Sequence, residues 1–155
     1  MKCLKLIQVL VLVTASYLHT SAQGTPNINS EPDYNKPKLF SDLPEKMKFQ
    51  FSDVESLLHL QVGSSVNTSL ASNFKISGTV VSVSEPYDKN VKSVVIKLNN
   101  RGGAIFTFTR VTSEDGTYEF SGRLLNRNNS DAIDIVKENG NYLLVKKNLY
   151  DLFSE

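Results

Sequence analysis

The chain has 155 residues, and its charges nearly balance, with 17 Lys and Arg against 16 Asp and Glu. Such a balance offers no concentrated positive surface for nucleic acid or for an anionic membrane. With one cysteine, two histidines and no tryptophan, the chain has few of the side chains that general base catalysis and zinc sites use most.

Residues 1–22 have the pattern of a secretory signal peptide. Lys2 and Lys5 form a basic start, residues 6–13 are an apolar run, and residues 20–22 are a small-residue cleavage site. The run is shorter than the roughly 20 residues of a transmembrane helix. Cleavage would remove Cys3, one histidine and two lysines, leaving 133 residues (155 − 22) with 15 basic and 16 acidic side chains. We therefore expect a secreted or periplasmic protein without disulfides or a transmembrane segment.

Residues 23–48 contain four of the five prolines, interleaved with polar residues. Proline removes backbone donors, and the segment has few apolar groups to bury, so a flexible arm is predicted. Leu39, Phe40 and Leu43 are exceptions that either dock the end of the arm onto the domain or contact a partner, and docking is favoured. The single domain is then expected to span residues 49–155.

A short amphipathic helix is predicted at the start of this domain. Ser52 and Glu55 have the spacing of a capping box, and Gly63 is placed to end the helix. Apolar residues recur at helical spacing at Val54, Leu57 and Leu58. His59 lies off that stripe, four residues after Glu55, a spacing suited to a weak exposed ion pair. We interpret His59 as a solvated surface residue without a catalytic role.

From residue 64 onward, short runs rich in β-branched and aromatic residues alternate with turn residues, which is typical of an all-β domain. The predicted strands are 65–70, 74–83, 93–98, 104–111, 117–125, 132–137 and 141–147. Their short links favour sequential antiparallel hairpins. The prediction is an antiparallel β-sandwich or a partly open small barrel of about seven strands.

Two predicted hairpins share a local pattern, Glu114-Asp-Gly-Thr-Tyr118 and Glu138-Asn-Gly-Asn-Tyr142. In the first, a three-residue loop places Phe106 opposite Leu124 and Phe108 opposite Gly122. One face then collects the aromatic residues Phe106, Phe108, Tyr118 and Phe120. The same loop in the second hairpin would group Ile133, Ile135, Leu143 and Val145.

Two further features concern the edges of the predicted domain. The apolar spacing of the second strand slips around Gly78, which indicates a β-bulge or a sharp bend. The C-terminal tail, residues 149–153, has apolar residues at helical spacing and is expected to fold back onto the sheet.

The sequence offers only weak candidates for catalytic or metal-binding residues. Paired carboxylates run glycoside hydrolysis, and the candidates are Asp131 with Asp134, or Glu114, Asp115 and Glu119. All of them fall in turns or on polar strand faces, so we interpret them as solvated turn residues. Residues 126–131 resemble a polar hairpin turn more than a calcium loop. Residues 101–103 are too short for a phosphate loop. No metal or other cofactor is expected.

The aromatic face could be a ligand site, because small barrels enclose apolar ligands. One domain, however, needs about this number of aromatic residues to fill its hydrophobic core, so we interpret them as core residues. The sequence thus favours an exported, non-enzymatic interaction or accessory domain that binds another exported protein. The alternative is a small β-barrel carrier of an apolar small molecule, and a hydrolase that uses carboxylates alone ranks third. The sequons at Asn67 and Asn128 would matter in a eukaryotic secretory route only.

Overall fold

The structure is a computed structural model that describes residues 35–84 and 89–153. The predicted signal peptide and residues 23–34 lie outside the described residues. One short helix, α1 (Phe51–Glu55), continues into a 3₁₀ helix (Ser56–His59), and a second 3₁₀ helix (Tyr150–Phe153) ends the chain. The eight strands are β1 (Lys46–Lys48), β2 (Ser65–Ala71), β3 (Phe74–Val83), β4 (Val91–Leu98), β5 (Ile105–Thr112), β6 (Tyr118–Leu125), β7 (Asp131–Glu138) and β8 (Asn141–Asn148).

All eight strands form one antiparallel sheet in the order β1-β8-β7-β6-β5-β4-β3-β2, which curls into a half-barrel. The predicted all-β class is confirmed. Strands β2 to β8 are the seven predicted strands and follow each other as sequential hairpins. The additional strand, β1, lies within the segment predicted as an arm and pairs with β8.

Two consecutive residues link the opposite edges of the sheet. The amide of Phe49 donates a hydrogen bond to the carbonyl of Tyr142 in β8 (3.2 Å), and the amide of Gln50 donates to the carbonyl of Leu70 in β2 (2.9 Å). Phe49 thus continues the pairing of the edge strand β1 with β8, and the next residue bonds to the opposite edge strand, β2. Because one dipeptide bonds to strands on both sides of the sheet, the sheet is held in its curl.

Aromatic rings fill the concave side of the sheet. Phe106 and Phe108 are fully buried, and the rings of Phe49 and Phe51 pack against Phe108 at centroid distances of 5.9 and 6.4 Å. Each buried ring contributes roughly 1.5–3 kcal/mol of hydrophobic stabilisation. The segment that bridges the sheet edges therefore also supplies part of the core.

The end of the predicted arm docks onto the domain, as expected from its apolar residues. Phe40 and Leu43 are buried, and Leu39 packs against the same core. The carboxylate of Asp131 accepts hydrogen bonds from the amides of Leu39 (2.6 Å) and Phe40 (2.9 Å). Asp131 is only 4% exposed, so its interpretation as a solvated turn residue is wrong. It is a buried anchor whose acceptor oxygens replace the sheet partners that the arm lacks.

The β5–β6 hairpin has the predicted register. Phe106 faces Leu124, Phe108 faces Gly122, and Gly116 has a positive φ of 81°. The aromatic residues of this hairpin contact each other along one face, which confirms the predicted shared face.

The predicted register of the β7–β8 hairpin is wrong by one residue. Glu138 pairs with Asn141, so the loop has two residues, and Ile135 faces Leu144 instead of Leu143. Asn139 (φ 50°) and Gly140 (φ 78°) both adopt positive φ, as a type I′ turn requires. Ile133 and Ile135 consequently share the concave face with Leu144, while Leu143 and Val145 lie on the outer face.

The predicted capping box is also wrong. The helix begins at Phe51 after Gln50, without a side-chain cap, and the Ser52 hydroxyl contacts Asp53 instead (3.2 Å). The edge hydrogen bonds of Phe49 and Gln50 and the packing of Phe51 fix where the helix starts, overriding the local signal. The 3₁₀ helix that continues α1 ends at His59 with Leu60 already extended, so the prediction that Gly63 ends the helix is also wrong.

The irregularity predicted in β3 is present, although the register shifts between Val80 and Ser82. Gly78 lies where β3 approaches β4, and a Cβ there would collide with the carbonyl of Lys97. The C-terminal tail folds back as predicted, with Leu149 and Leu152 buried against Ala132.

Candidate functional site at the open end of the half-barrel

The two ends of the half-barrel are closed to different degrees. At one end, which we call the sealed end and which includes the β2–β3 loop, the arm packs against the β4–β5 and β6–β7 loops, and the tail bonds to the β6–β7 loop. Arg101 of the β4–β5 loop forms a two-bonded ion pair with Asp42 of the arm (2.9 Å for each bond), and the Asn126 side chain donates to the carbonyl of Gly102 (2.8 Å). We call the opposite end, formed by the other hairpins and the segment before β2, the open end.

Exposed apolar residues concentrate at the open end. Among the described residues, five large hydrophobic side chains are between 40% and 61% exposed. They are Val62, Val81, Val83, Val111 and Tyr118. The antiparallel order of the strands places all five at this end. Strand alternation puts Val111 on the outer face and Tyr118 on the concave face, so apolar side chains surround this end on both faces.

The wall of the half-barrel splits between β6 and β7 at the same end. Their ladder has three pairs, from Arg123 opposite Asp134 to Leu125 opposite Ala132, whereas β6 pairs with β5 along its full length. Residues 118–122 of β6 thus have no β7 partner within the described part of the chain. The amide of Phe120 donates instead to the hydroxyl of Tyr142 (3.2 Å), which leaves β6 with an edge facing the split.

An arginine points into the concave side at this end. Arg110 lies opposite Lys92 of β4 and Phe120 of β6, and its side chain is only 14% exposed. Its Nη1 lies 3.6 Å from Oε1 of Glu55 in α1, and its guanidinium carbon lies 4.6 Å from the centre of the Tyr118 ring. The guanidinium is therefore bounded by a carboxylate and by an aromatic face.

Arg110 lacks hydrogen-bond partners although its side chain is largely buried. Among the described residues, its Nε is the one buried side-chain nitrogen or oxygen without a hydrogen-bond partner, and the 3.6 Å separation from Glu55 exceeds hydrogen-bond length. Buried charged groups are normally paired and hydrogen-bonded, because desolvation otherwise costs several kcal/mol.

The predicted carboxylate pair Asp131 and Asp134 is not brought together. Strand alternation puts the two residues on opposite faces, with Asp131 beneath the arm and Asp134 outside, 3.4 Å from Nε of Arg123. The second carboxylate set, Glu114, Asp115 and Glu119, is exposed at the β5–β6 hairpin.

Two other predicted residues have local roles. Asp115 accepts from the Thr117 hydroxyl (2.7 Å) and amide (2.9 Å), and these hydrogen bonds lower the pKa of Asp115. His59 is exposed, as expected, but the predicted partner Glu55 pairs with Arg110.

The remaining sequence candidates are structural. Residues 126–130 form a turn in which the Asn126 side chain accepts the amide of Asn128 (3.0 Å). Phe106 and Phe108 are core residues, whereas Tyr118, from the same predicted aromatic face, is exposed. The sequons at Asn67 and Asn128 are both exposed.

Sequence reasoning missed Arg110 and Tyr142. A signal for Arg110 was present, since the predicted register places residues 106, 108 and 110 on one inward face. An arginine that continues a run of inward phenylalanines is an unusual choice for a core position. Tyr142 carried no such signal, because its role depends on where β7 leaves β6.

Two cavities lie away from the open end. One, of about 260 Å³, lies between the arm and β8 and is lined by Asp131 and Lys146, which are already bonded to the arm. The other is a shallow groove of about 500 Å³ on the outer face, beside Thr107 and Arg123. Among residues 35–84 and 89–153, no group of three or more metal-ligating side chains occurs, and no helix there has the length and apolar character to cross a bilayer.

Comparisons with protein-family models, with curated proteins and with solved structures give no match for this chain.

Proposed function

We propose that this protein is an exported, non-enzymatic interaction domain that binds another exported protein through its open end. The observation that supports the proposal is that the exposed valines and Tyr118 all lie at one end of the half-barrel. The sealed end has its apolar groups covered by the arm and the tail. This difference is expected if the sealed end faces solvent and the open end binds a partner.

The split between β6 and β7 supports a mode of binding. An extended segment of a partner adds to a sheet where backbone groups lack a strand neighbour. Residues 118–122 offer such an edge, and Tyr118 at its start is exposed. We therefore expect the partner to contribute an extended segment with apolar side chains on one face.

The filled interior favours a protein partner over a small apolar ligand. A carrier requires an empty apolar cavity, whereas Phe49, Phe51 and Phe108 pack against one another on the concave side. The non-enzymatic part of the proposal rests on the separation of Asp131 from Asp134 and on the exposure of His59.

Site-specific photo-crosslinking in the compartment to which the protein is exported tests the proposal. A benzophenone amino acid at Val83 or Val111 should give the same discrete cross-linked product. The matched control is the exposed Asn73 at the sealed end, which should give none. Equal products from both ends, or products from Asn73 alone, would overturn the assignment of the open end.

A further inference from the structure

We propose that Arg110 is the centre of a carboxylate-binding site at the open end. The inference deepens the proposed function and rests on it in one respect: the carboxylate is taken to belong to the protein partner. Beside its apolar side chains, the partner would present to Arg110 either the carboxylate of a Glu or Asp side chain or that of its chain terminus.

The donors of Arg110 are the first argument. A guanidinium has five N–H groups, and none of them donates a hydrogen bond to the described residues. Nε is buried, so a ligand that enters from the open end would meet the terminal nitrogens Nη1 and Nη2. The terminal nitrogens are the ones that bind a carboxylate through two parallel hydrogen bonds.

The neighbouring charges favour a ligand with one negative charge. Arg110 and Lys92 face the same side at directly opposed positions of β4 and β5, where Cβ atoms are about 5 Å apart. Glu55 supplies one negative charge at 3.6 Å. The charges of Arg110, Lys92 and Glu55 therefore sum to +1, which a carboxylate neutralises and a doubly charged phosphate would exceed.

Tyr118 provides the third argument. Its ring lies 4.6 Å from the guanidinium carbon, and the residue as a whole is 51% exposed. Tyr118 therefore covers one face of the guanidinium while remaining within reach of a partner. Stacking on an aromatic ring leaves the in-plane N–H groups directed outward. Arg110 is thus pre-oriented for a ligand that arrives from the open end.

The test uses three short peptides and the folded mature protein. The first has a single glutamate flanked by valines and blocked ends, the second has glutamine in its place, and the third is the glutamine peptide with a free C-terminal carboxylate. Affinity is measured by NMR titration, following the Arg110 side-chain Nε–H resonance. We expect the glutamate peptide to bind at least about tenfold more tightly than its glutamine counterpart. The third peptide reveals whether a chain terminus serves as well.

Variants keep the test independent of folding. Arg110→Gln should remove the preference for glutamate, and Arg127→Gln, an exposed arginine at the sealed end, should retain it. Glu55→Gln removes the competing carboxylate and should tighten binding of the glutamate peptide about threefold. Equal affinities for the glutamate peptide and both glutamine peptides, or a preference that persists in Arg110→Gln, would overturn the carboxylate site.

Failure of this site is distinguishable from failure of the proposed function. If Arg110→Gln retains the cross-link from Val83 and the peptides show no charge preference, the carboxylate inference is wrong and the interaction domain stands. If the open end gives no cross-link while the glutamate peptide binds through Arg110, the carboxylate site stands without a protein partner.

Discussion

Replacing Asp131 by asparagine should weaken the whole domain. The carboxylate accepts the amides of Leu39 and Phe40 at 2.6 and 2.9 Å in a buried position. Asparagine keeps one acceptor oxygen and turns an amide donor toward the second N–H group. One charge-assisted hydrogen bond is then lost and one buried donor is left unsatisfied, at a cost of about 2–3 kcal/mol. That is a large part of a total stability that is ordinarily about 5–15 kcal/mol.

Urea unfolding followed by far-ultraviolet circular dichroism measures this loss, with amide hydrogen exchange of Leu39 and Phe40 as a local readout. The control is Asp42→Asn, which breaks the ion pair between the arm and Arg101. Because Asp42 is 55% exposed, that pair should contribute only a few tenths of a kcal/mol. A loss below about 0.5 kcal/mol for Asp131→Asn, with unchanged exchange at both amides, would refute Asp131 as the anchor.

Three further predictions concern stability. In Gly122→Ala the new Cβ would lie 2.6 Å from Cδ1 of Ile135 and 2.7 Å from the carbonyl oxygen of Thr107. Urea unfolding should therefore show a free energy of unfolding that is lower by about 2 kcal/mol, whereas the control Ser121→Ala should leave it unchanged. An unchanged stability of Gly122→Ala would contradict the close approach. Tyr142→Phe removes the hydroxyl that accepts the Phe120 amide, so it should lower the free energy of unfolding by about 1 kcal/mol and speed hydrogen exchange of that amide. Unchanged exchange would show that the hydroxyl is dispensable. The hydrogen bond from Arg101 lowers the pKa of Asp42 below its ordinary 3.8. The stabilisation from this ion pair is therefore present above the unfolded-state pKa and is lost as the pH falls through the folded-state pKa. The difference in stability between wild type and Asp42→Asn should shrink from pH 7 to pH 3, and a constant difference would count against the pair.

The local part of the fold was predictable, and the two similar hairpins show where local reasoning ends. In the first, Asp115 accepts two hydrogen bonds from Thr117, which stabilises the longer loop that the register requires. In the second, the corresponding residues are Asn139 and Asn141, and Asn139 adopts a positive φ. The Asn-Gly pair then closes a two-residue turn, and the analogy between the sequences fails by one residue.

Features that depend on distant partners were not predictable from local pattern. β1 has only three residues, and its strand conformation depends on β8. Asp131 has the local sequence pattern of a turn residue, and its partners, Leu39 and Phe40, are 92 and 91 positions away. The inward direction of Arg110 followed from the predicted register, but its setting depends on Glu55 and Tyr118, which come from two other elements.

The bridge formed by Phe49 and Gln50 has a consequence for the order of folding. Hairpins from β2 to β8 join neighbouring segments, and isolated hairpins form in about 1–10 μs. Closure of the half-barrel instead joins positions such as Lys46 and Glu138, 92 residues apart, and non-local pairing of this kind is slow. Because synthesis proceeds from the N-terminus, the closing segment is made first and acquires its partner last. A nascent chain that ends before residue 141 would therefore form hairpins but no closed half-barrel.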